Sequence, residues 1–227
     1  MKTMTAVLPM VLGWMTIHPS IAPAAQAGPA QLIVVSTLSE GDIAQKTRRI
    51  WDPTTDLLGD EDRIRFVFPT LPRSAGSFLI TPPTTYEASD LFRGIRHVGL
   101  LLPEAHLRIA DAVKFAGYQA ATGHQPRAVL LVLAGNERDE SVDNAATVRH
   151  LLKVLRVPLY VWSLGESKPG TTAAAWGAED ITQTWHLASA ARRFRQDLDA
   201  QRAAKTSGGA AVGGPGNGSM NIAFPSP

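Results

Sequence analysis

Carboxylates and hydroxyls are the side chains of this 227-residue sequence that stand where chemistry is possible. Glu137, Asp139, Glu140 and Asp143, with Asn136 and Asn144, crowd into one loop after an apolar run. Such oxygens could hold calcium weakly, but their spacing does not match an EF-hand loop. Acids next to a helix start suit its dipole, so a solvated, helix-capping loop is the expectation. Ser36 and Ser39 lie at the end of another apolar run. A hydrolase elbow would read G-x-S-x-G, which is absent, and no histidine is tied to either serine by local spacing. The six histidines (His18, His97, His106, His124, His150, His186) form neither H-x-x-x-H nor H-E-x-x-H, so zinc has no local support. There is no cysteine, hence no disulfide and no thiolate site. The stretch TLSEGD after Ser36 offers one glycine and two acids where a dinucleotide site needs several glycines. No G-x-x-x-x-G-K-[ST] occurs, and nucleotide binding is set aside.

Composition narrows the partners. Charged residues make up 19% of the chain, and the formal net charge is +2. That is no electrostatic footprint for nucleic acid, despite a pI near 9.1. Arg192, Arg193 and Arg195 sit among Asp197 and Asp199 and read as a solvated face. A 44% hydrophobic content can bury one substantial core. Lys2, an apolar stretch over 5–17 and Ala25 and Ala27 at the -3 and -1 positions of an A-x-A site suggest a signal peptide, 1–27. The run is short for a bilayer, so no stable membrane span is expected after cleavage. The location implied is outside the cytoplasm: periplasm, cell envelope or secreted. One domain is expected over 28–203, then a Gly-rich tail over 204–227 that buries too little apolar surface to order itself. Asn217-Gly218-Ser219 within it is a weak glycosylation match.

The elements that must position these groups follow from periodicity. Residues 128–134 are apolar on both faces, as a central parallel strand requires. Val148, Leu151, Leu152 and Leu155 then mark an amphipathic helix, with Ser141 or Asp143 as its cap and Pro158 as its stop. Residues 159–164 form the next strand, completing a strand-helix-strand unit. Upstream, QLIVVS (31–36) is a buried strand, and a helix carrying Ile43, Thr47, Ile50 and Trp51 ends at Pro53. RIRFVF (63–68) alternates and is expected to pair with 77–81 as an edge hairpin, before Pro82 and Pro83 break the chain. Ser89 or Asp90 starts a helix with Leu91, Ile95, Val98 and Leu102. Another helix carries Ile109, Ala112, Val113, Ala116 and Ala120, and a last one carries Leu187, Ala191, Phe194 and Leu198. A sixth strand falls within 178–184. Trp162, Trp176 and Trp185 either cover the sheet end or, if exposed, favour a partner. The class is α/β, a doubly wound, mostly parallel sheet with one antiparallel edge hairpin and helices on both faces. A ligand in such a sheet sits beyond the carboxyl ends of the central strands.

The order of elements resembles a von Willebrand factor type A domain of the kind found in exported bacterial proteins. RAVLLVLAGNERDES resembles that family's fourth-strand segment VVLLTDGEDN, and VPLYVWSLG its fifth strand VPVYVIGVG. LRIADAVKFAGYQAA resembles the helix after its second metal loop, where T-A-L-Y-D-A is usual, and DRIRFVFP its D-R-V-x-L-V-x-F strand. The likeness covers 31–201. It implies a Rossmann-like three-layer fold and a metal-ion-dependent adhesion site made of D-x-S-x-S, a Thr and an Asp. Those positions fall here on Ser36, Leu38 and Glu40, on Leu107 and on Ala134. Leu38, Leu107 and Ala134 offer no side-chain oxygen to a hard cation, so the site is expected to be degenerate, with no metal and no cofactor. The resemblance then implies a non-enzymatic module that binds an unidentified protein partner through 37–42, 103–107 and 135–140. Its site positions are Ser36, Leu38, Ser39, Glu40, Leu107, Ala134, Gly135 and Asn136. The alternatives are an exported hydrolase using Ser36 or Ser39 with a distant His and acid, or a structural remnant in a larger assembly.

Overall fold

A computed structural model describes residues 28–42, 57–70, 77–85, 91, 94–96, 106–135 and 137–210, excepting the side chains of Glu40 and of 205–210. The expected signal peptide, most of the helix ending at Pro53, the Ser89 or Asp90 cap, residues 103–105, Asn136 and 211–227 lie outside the described residues.

Six strands form one sheet: β1 (Gln31–Ser36), β2 (Arg63–Val67), β3 (Thr84–Thr85), β4 (Arg127–Leu133), β5 (Leu159–Ser163) and β6 (Glu179–Asp180). Their order is β3-β2-β1-β4-β5-β6, and every pairing is parallel except β2 with β3. β1 and β4 take the centre because both their faces are apolar, and all six residues of β1 are buried. Alternation sends Leu32, Val34, Leu130 and Val132 to one core cluster and Ile33, Val35, Val129 and Leu131 to the other.

The helices are α1 (Glu40–Asp42), α2 (Ile109–Ala121), α3 (Ala145–Val154), α4 (Thr172–Trp176) and α5 (Thr184–Ala210). α5 lays Leu187, Ala191, Phe194 and Leu198 on the first cluster, where Leu91 and Ile95 also pack. α2 and α3 cover the second cluster, so the molecule is the expected three-layer α/β sandwich. α2 and α3 approach closely at Gly117, where a Cβ would lie 2.7 Å from Leu152 Cδ1. Trp162 and Trp176 are buried, one in each cluster, and only Trp185 of the three is exposed.

Several local expectations are corrected. The edge strand is Thr84–Thr85, not 77–81. Only an isolated bridge, Val67↔Ile80, forms in the earlier stretch. Ile64 faces Thr84, so the three residues 81–83 stand opposite the two residues 65–66. The extra residue is a bulge at Pro82-Pro83, which lack the N–H groups a regular ladder needs. The cap of α3 is Asn144, whose side chain accepts from Thr147 N–H at 2.9 Å, rather than Ser141 or Asp143. α3 stops before Pro158. Arg156 takes a left-handed φ of 53°, its N–H donates to the Lys153 carbonyl, and Val157 N–H reaches back to the Leu152 carbonyl at 2.9 Å. α5 runs to Ala210, into the stretch expected as tail from 204. It is pinned near that end by Gln201, which accepts from Arg127 N–H at 3.1 Å, and by Arg202, which pairs with buried Asp62.

Candidate functional site

Two loops leave the carboxyl ends of β1 and β4 and meet at the place where a doubly wound sheet offers a ligand site. After β1 the chain turns inward. Ser36 is buried and its Oγ accepts from Leu38 N–H at 3.2 Å. Thr37 joins the two strand ends: its Oγ1 accepts from Ala134 N–H at 3.0 Å and its N–H donates to the Val132 carbonyl at 3.0 Å. Leu38 is fully buried and shares the first cluster with Ala134 and Leu164. Ser39 and Asp42 cap the start of α1 for each other. Ser39 Oγ accepts from Asp42 N–H at 3.2 Å, and Asp42 Oδ2 accepts from Ser39 N–H at 3.1 Å and from the Ser39 hydroxyl at 2.7 Å.

The acids of the loop after β4 do cap a helix, but that helix is α2, about thirty residues upstream, while Asn144 at the end of the loop caps α3. Asp139 Oδ1 accepts from Ile109 N–H at 2.9 Å and Oδ2 from Ala110 N–H at 3.2 Å. The Asp111 N–H donates to Ser141 Oγ at 3.1 Å, and that hydroxyl donates to Asp139 at 2.6 Å. These N–H groups open α2 and have no partner within the helix. The residue at its own cap position, Arg108, supplies no side-chain cap. In return, Asp111 accepts from the N–H groups of Val142 at 3.1 Å and Asp143 at 3.3 Å and from Arg108 Nε at 2.8 Å. Burial pushes the Asp111 carboxyl up, but these hydrogen bonds and the Arg108 charge outweigh it and hold the group below its ordinary value. Lys114 Nζ meets Asp143 Oδ2 at 2.6 Å, and that partner raises the lysine above its ordinary value. Glu140 N–H donates to the Leu107 carbonyl at 2.8 Å, and His106 Nδ1 lies 2.8 Å from Glu140 Oε2.

Glu137 folds back on the strand end, its Oε2 accepting from Gly135 N–H at 2.7 Å, while its carbonyl accepts from Thr172 of α4 at 2.9 Å. Gly135 has φ 102°, and a Cβ there would lie 3.2 Å from Gly165 Cα, so both the backbone angle and the close approach require glycine. Ser163, fully buried, donates to the Gly165 carbonyl at 2.9 Å.

The expected site positions therefore do come to one end of the sheet, but into different surroundings. Ser36, Leu38 and Ala134 are buried, Leu107 and Gly135 are half-buried, and Ser39 is exposed. Asn136 and the Glu40 side chain are outside what is described. A hard cation needs a shell of carboxylate and hydroxyl oxygens. Leu38 and Ala134 place methyl groups of the core at two of the positions that the resemblance aligns with such ligands. Among the described residues no three His, Cys, Asp or Glu come together as a metal cluster. The hydroxyls proposed for hydrolysis are occupied locally, Ser36 by Leu38 N–H and Ser39 by Asp42. Asp111, Ser163 and Thr172 were missed as members of this end, whereas Thr37 lay in the expected face 37–42.

No family model and no curated protein matches the chain. Solved structures do. Proximal thread matrix protein 1 from the mussel byssus aligns at TM-score 0.50 and 14% identity, over 77% of this chain and 49% of that one. A von Willebrand factor type A protein from Catenulispora acidiphila aligns at 0.44 and 17%, over 76% and 42%. The ArnB paralog VWA2 from Sulfolobus acidocaldarius aligns at 0.42 and 11%, over 72% and 44%. This chain thus spans about half or less of the length of the structures it matches. At such identity the likeness speaks of fold. The sheet order, the helices on both faces and the mussel protein's alignment together give this chain the fold of a von Willebrand factor type A domain.

Proposed function

We propose that the chain is an exported, non-enzymatic protein-interaction module of von Willebrand A type whose strand-end face works without metal. The observation that carries this reading is the burial of Leu38 and Ala134 in the core, at positions the resemblance aligns with a serine and an aspartate ligand. A polar or charged side chain there would be desolvated among aliphatic groups, so the local packing favours apolar residues over an ion. The face left to a partner is built from Ser39, Leu107, Gly135, Arg138 and Glu140, with shape and ordinary hydrogen bonds as its means of recognition. Export rests on the Ala25 and Ala27 spacing and the short apolar run before it. No helix among the described residues is long and apolar enough to cross a membrane.

Thermal unfolding of the full chain, in EDTA and then in millimolar Mg²⁺, Mn²⁺ or Ca²⁺, tests the metal claim. A cation that binds the native state raises the midpoint by mass action, and no shift is expected. A rise that Glu40→Ala abolishes would refute metal independence. For the partner, envelope extract is passed over the immobilised chain and over its Arg138→Glu form. Arg138 is exposed on the proposed face, so a protein held by the first and released by the second is the expected outcome. Retention indifferent to that reversal would move the interface elsewhere.

A further inference from the structure

The opposite edge of the sheet is incompletely covered. β5 meets β6 in two pairs only, Trp162↔Glu179 and Ser163↔Asp180. The Ser163 carbonyl accepts from Ile181 N–H at 2.9 Å, so Ser163 turns its main chain toward β6. Pro158, whose carbonyl accepts from Val129 N–H at 2.9 Å, turns toward β4, as does Leu164, whose N–H donates to the Leu133 carbonyl. The two-residue alternation of a strand then points the N–H and C=O groups of Leu159 and Val161 to the β6 side. The Trp162↔Glu179 pair takes the Val161 carbonyl, so among the described residues the groups left without a strand partner on this side are the Leu159 N–H and C=O and the Val161 N–H. β6 starts late because Gly177, with φ 61°, caps α4 and turns the chain aside.

A cleft of about 350 Å³ lies beside this open edge on the α3 face, lined by Leu159, Val161, Leu152 and Trp176 and by Arg149 and Lys153. From Ala145 to Arg156 the α3 segment carries Arg149, His150, Lys153 and Arg156 and no acid. Among the described residues none of these four makes an ion pair. Of the two acids of β6, Glu179 pairs with Arg193 of α5 on the other face and Asp180 accepts from Thr182. A basic helix face is ordinarily just solvated. This one adjoins unpaired main-chain groups and an apolar cleft, and the three together have the form of a strand-addition site.

We propose that the β5 edge binds an extended acidic segment of a partner protein, which adds as a strand along Leu159–Val161. This site is separate from the strand-end face and does not depend on it. The added strand's main chain pairs with the Leu159 N–H and C=O and with the Val161 N–H. One of its apolar side chains fills the cleft, and acids two residues to either side meet Arg149 and Lys153.

The test is fluorescence anisotropy with a labelled peptide Glu-Thr-Leu-Thr-Glu and the full chain at low salt. Arg149 and Lys153 are both exposed, so Arg149→Glu with Lys153→Glu spares the core, which an unchanged melting temperature verifies. Binding is expected, weakened about tenfold or more by the double variant and likewise by a peptide with Lys in place of Glu. A peptide N-methylated at its inner amides reads the main-chain pairing without any change to the protein, and a similar loss is expected. No binding up to millimolar protein, or binding indifferent to charge reversal or to N-methylation, would overturn the proposal.

Discussion

The loops after β1 and β4 answer the same problem in opposite ways. Each carries polar residues from a central strand end toward solvent. The β1 loop solves it locally: Leu38 goes into the core, and Ser39 and Asp42 satisfy each other within four residues. The β4 loop solves it at long range. Asp139 and Ser141 satisfy the opening N–H groups of α2, and Asp111 of α2 satisfies the N–H groups of Val142 and Asp143 in return. The carboxylates of Asp42, Asp111, Glu137 and Asp139 at this end of the sheet are thus committed to backbone N–H groups, while those of Glu140 and Asp143 meet His106 and Lys114. Once the core has closed over Leu38 and Ala134, acids beside it are most useful as caps.

The difference can be broken at four points. Leu38→Ala empties a fully buried site, and a loss of about 3 kcal/mol is expected in urea unfolding. A loss near zero would mean that the β1 loop does not close the core. Asp139→Ala strands the first N–H groups of α2, at about 2 kcal/mol. Amide exchange at Ile109 and Ala110 should accelerate more than at the middle of the helix, which separates a lost cap from general loosening. Asp111→Asn addresses pH. Its folded carboxyl lies below the ordinary value, so its contribution is present above the unfolded pKa, about 3.9, and is lost as pH falls through the folded value. The variant should be less stable at neutral pH, and its stability should fall less on acidification than that of the wild type. Ser39→Ala removes an exposed, local cap, and about 1 kcal/mol or less is expected from thermal melts. If Ser39→Ala cost more than Asp139→Ala, the ranking of local below long-range capping would be wrong.

The fold was legible because its signals are local. β1 and β4 are apolar on both faces, α2, α3 and α5 carry helical stripes, and those residues are buried, save Leu151 and Leu155 of the α3 stripe, which are half-buried. β3 was misplaced because strand propensity favoured 77–81, while the ladder resumes only beyond Pro82-Pro83 at a register set by β2. The end of α3 was assigned to Pro158, yet the turn belongs to Arg156 in a conformation usually left to glycine, which periodicity does not signal. Even a local cap went unread: Asn144 was passed over for Ser141 or Asp143, although its donor, Thr147 N–H, lies three residues away. Ser141 and Asp143 have good capping chemistry for α3, but tertiary contact diverts them to Asp111 and Lys114. That Leu38, Leu107 and Ala134 lack side-chain oxygens could be read from residue types; which acids would cap α2 depends on a contact across some thirty residues.

The bulged edge at Pro82-Pro83 has a consequence for polymer growth. Continuous growth by strand pairing needs two receptive edges per molecule, one to accept and one to offer. On the β3 side the outermost strand is two residues long and follows two residues with no N–H to give. On the β5 side the N–H and C=O of Leu159 and the N–H of Val161 stand open among the described residues. A molecule receptive on one side only is a terminus. Two copies meeting by β5 would turn their proline-bearing edges outward, and association would stop at a pair.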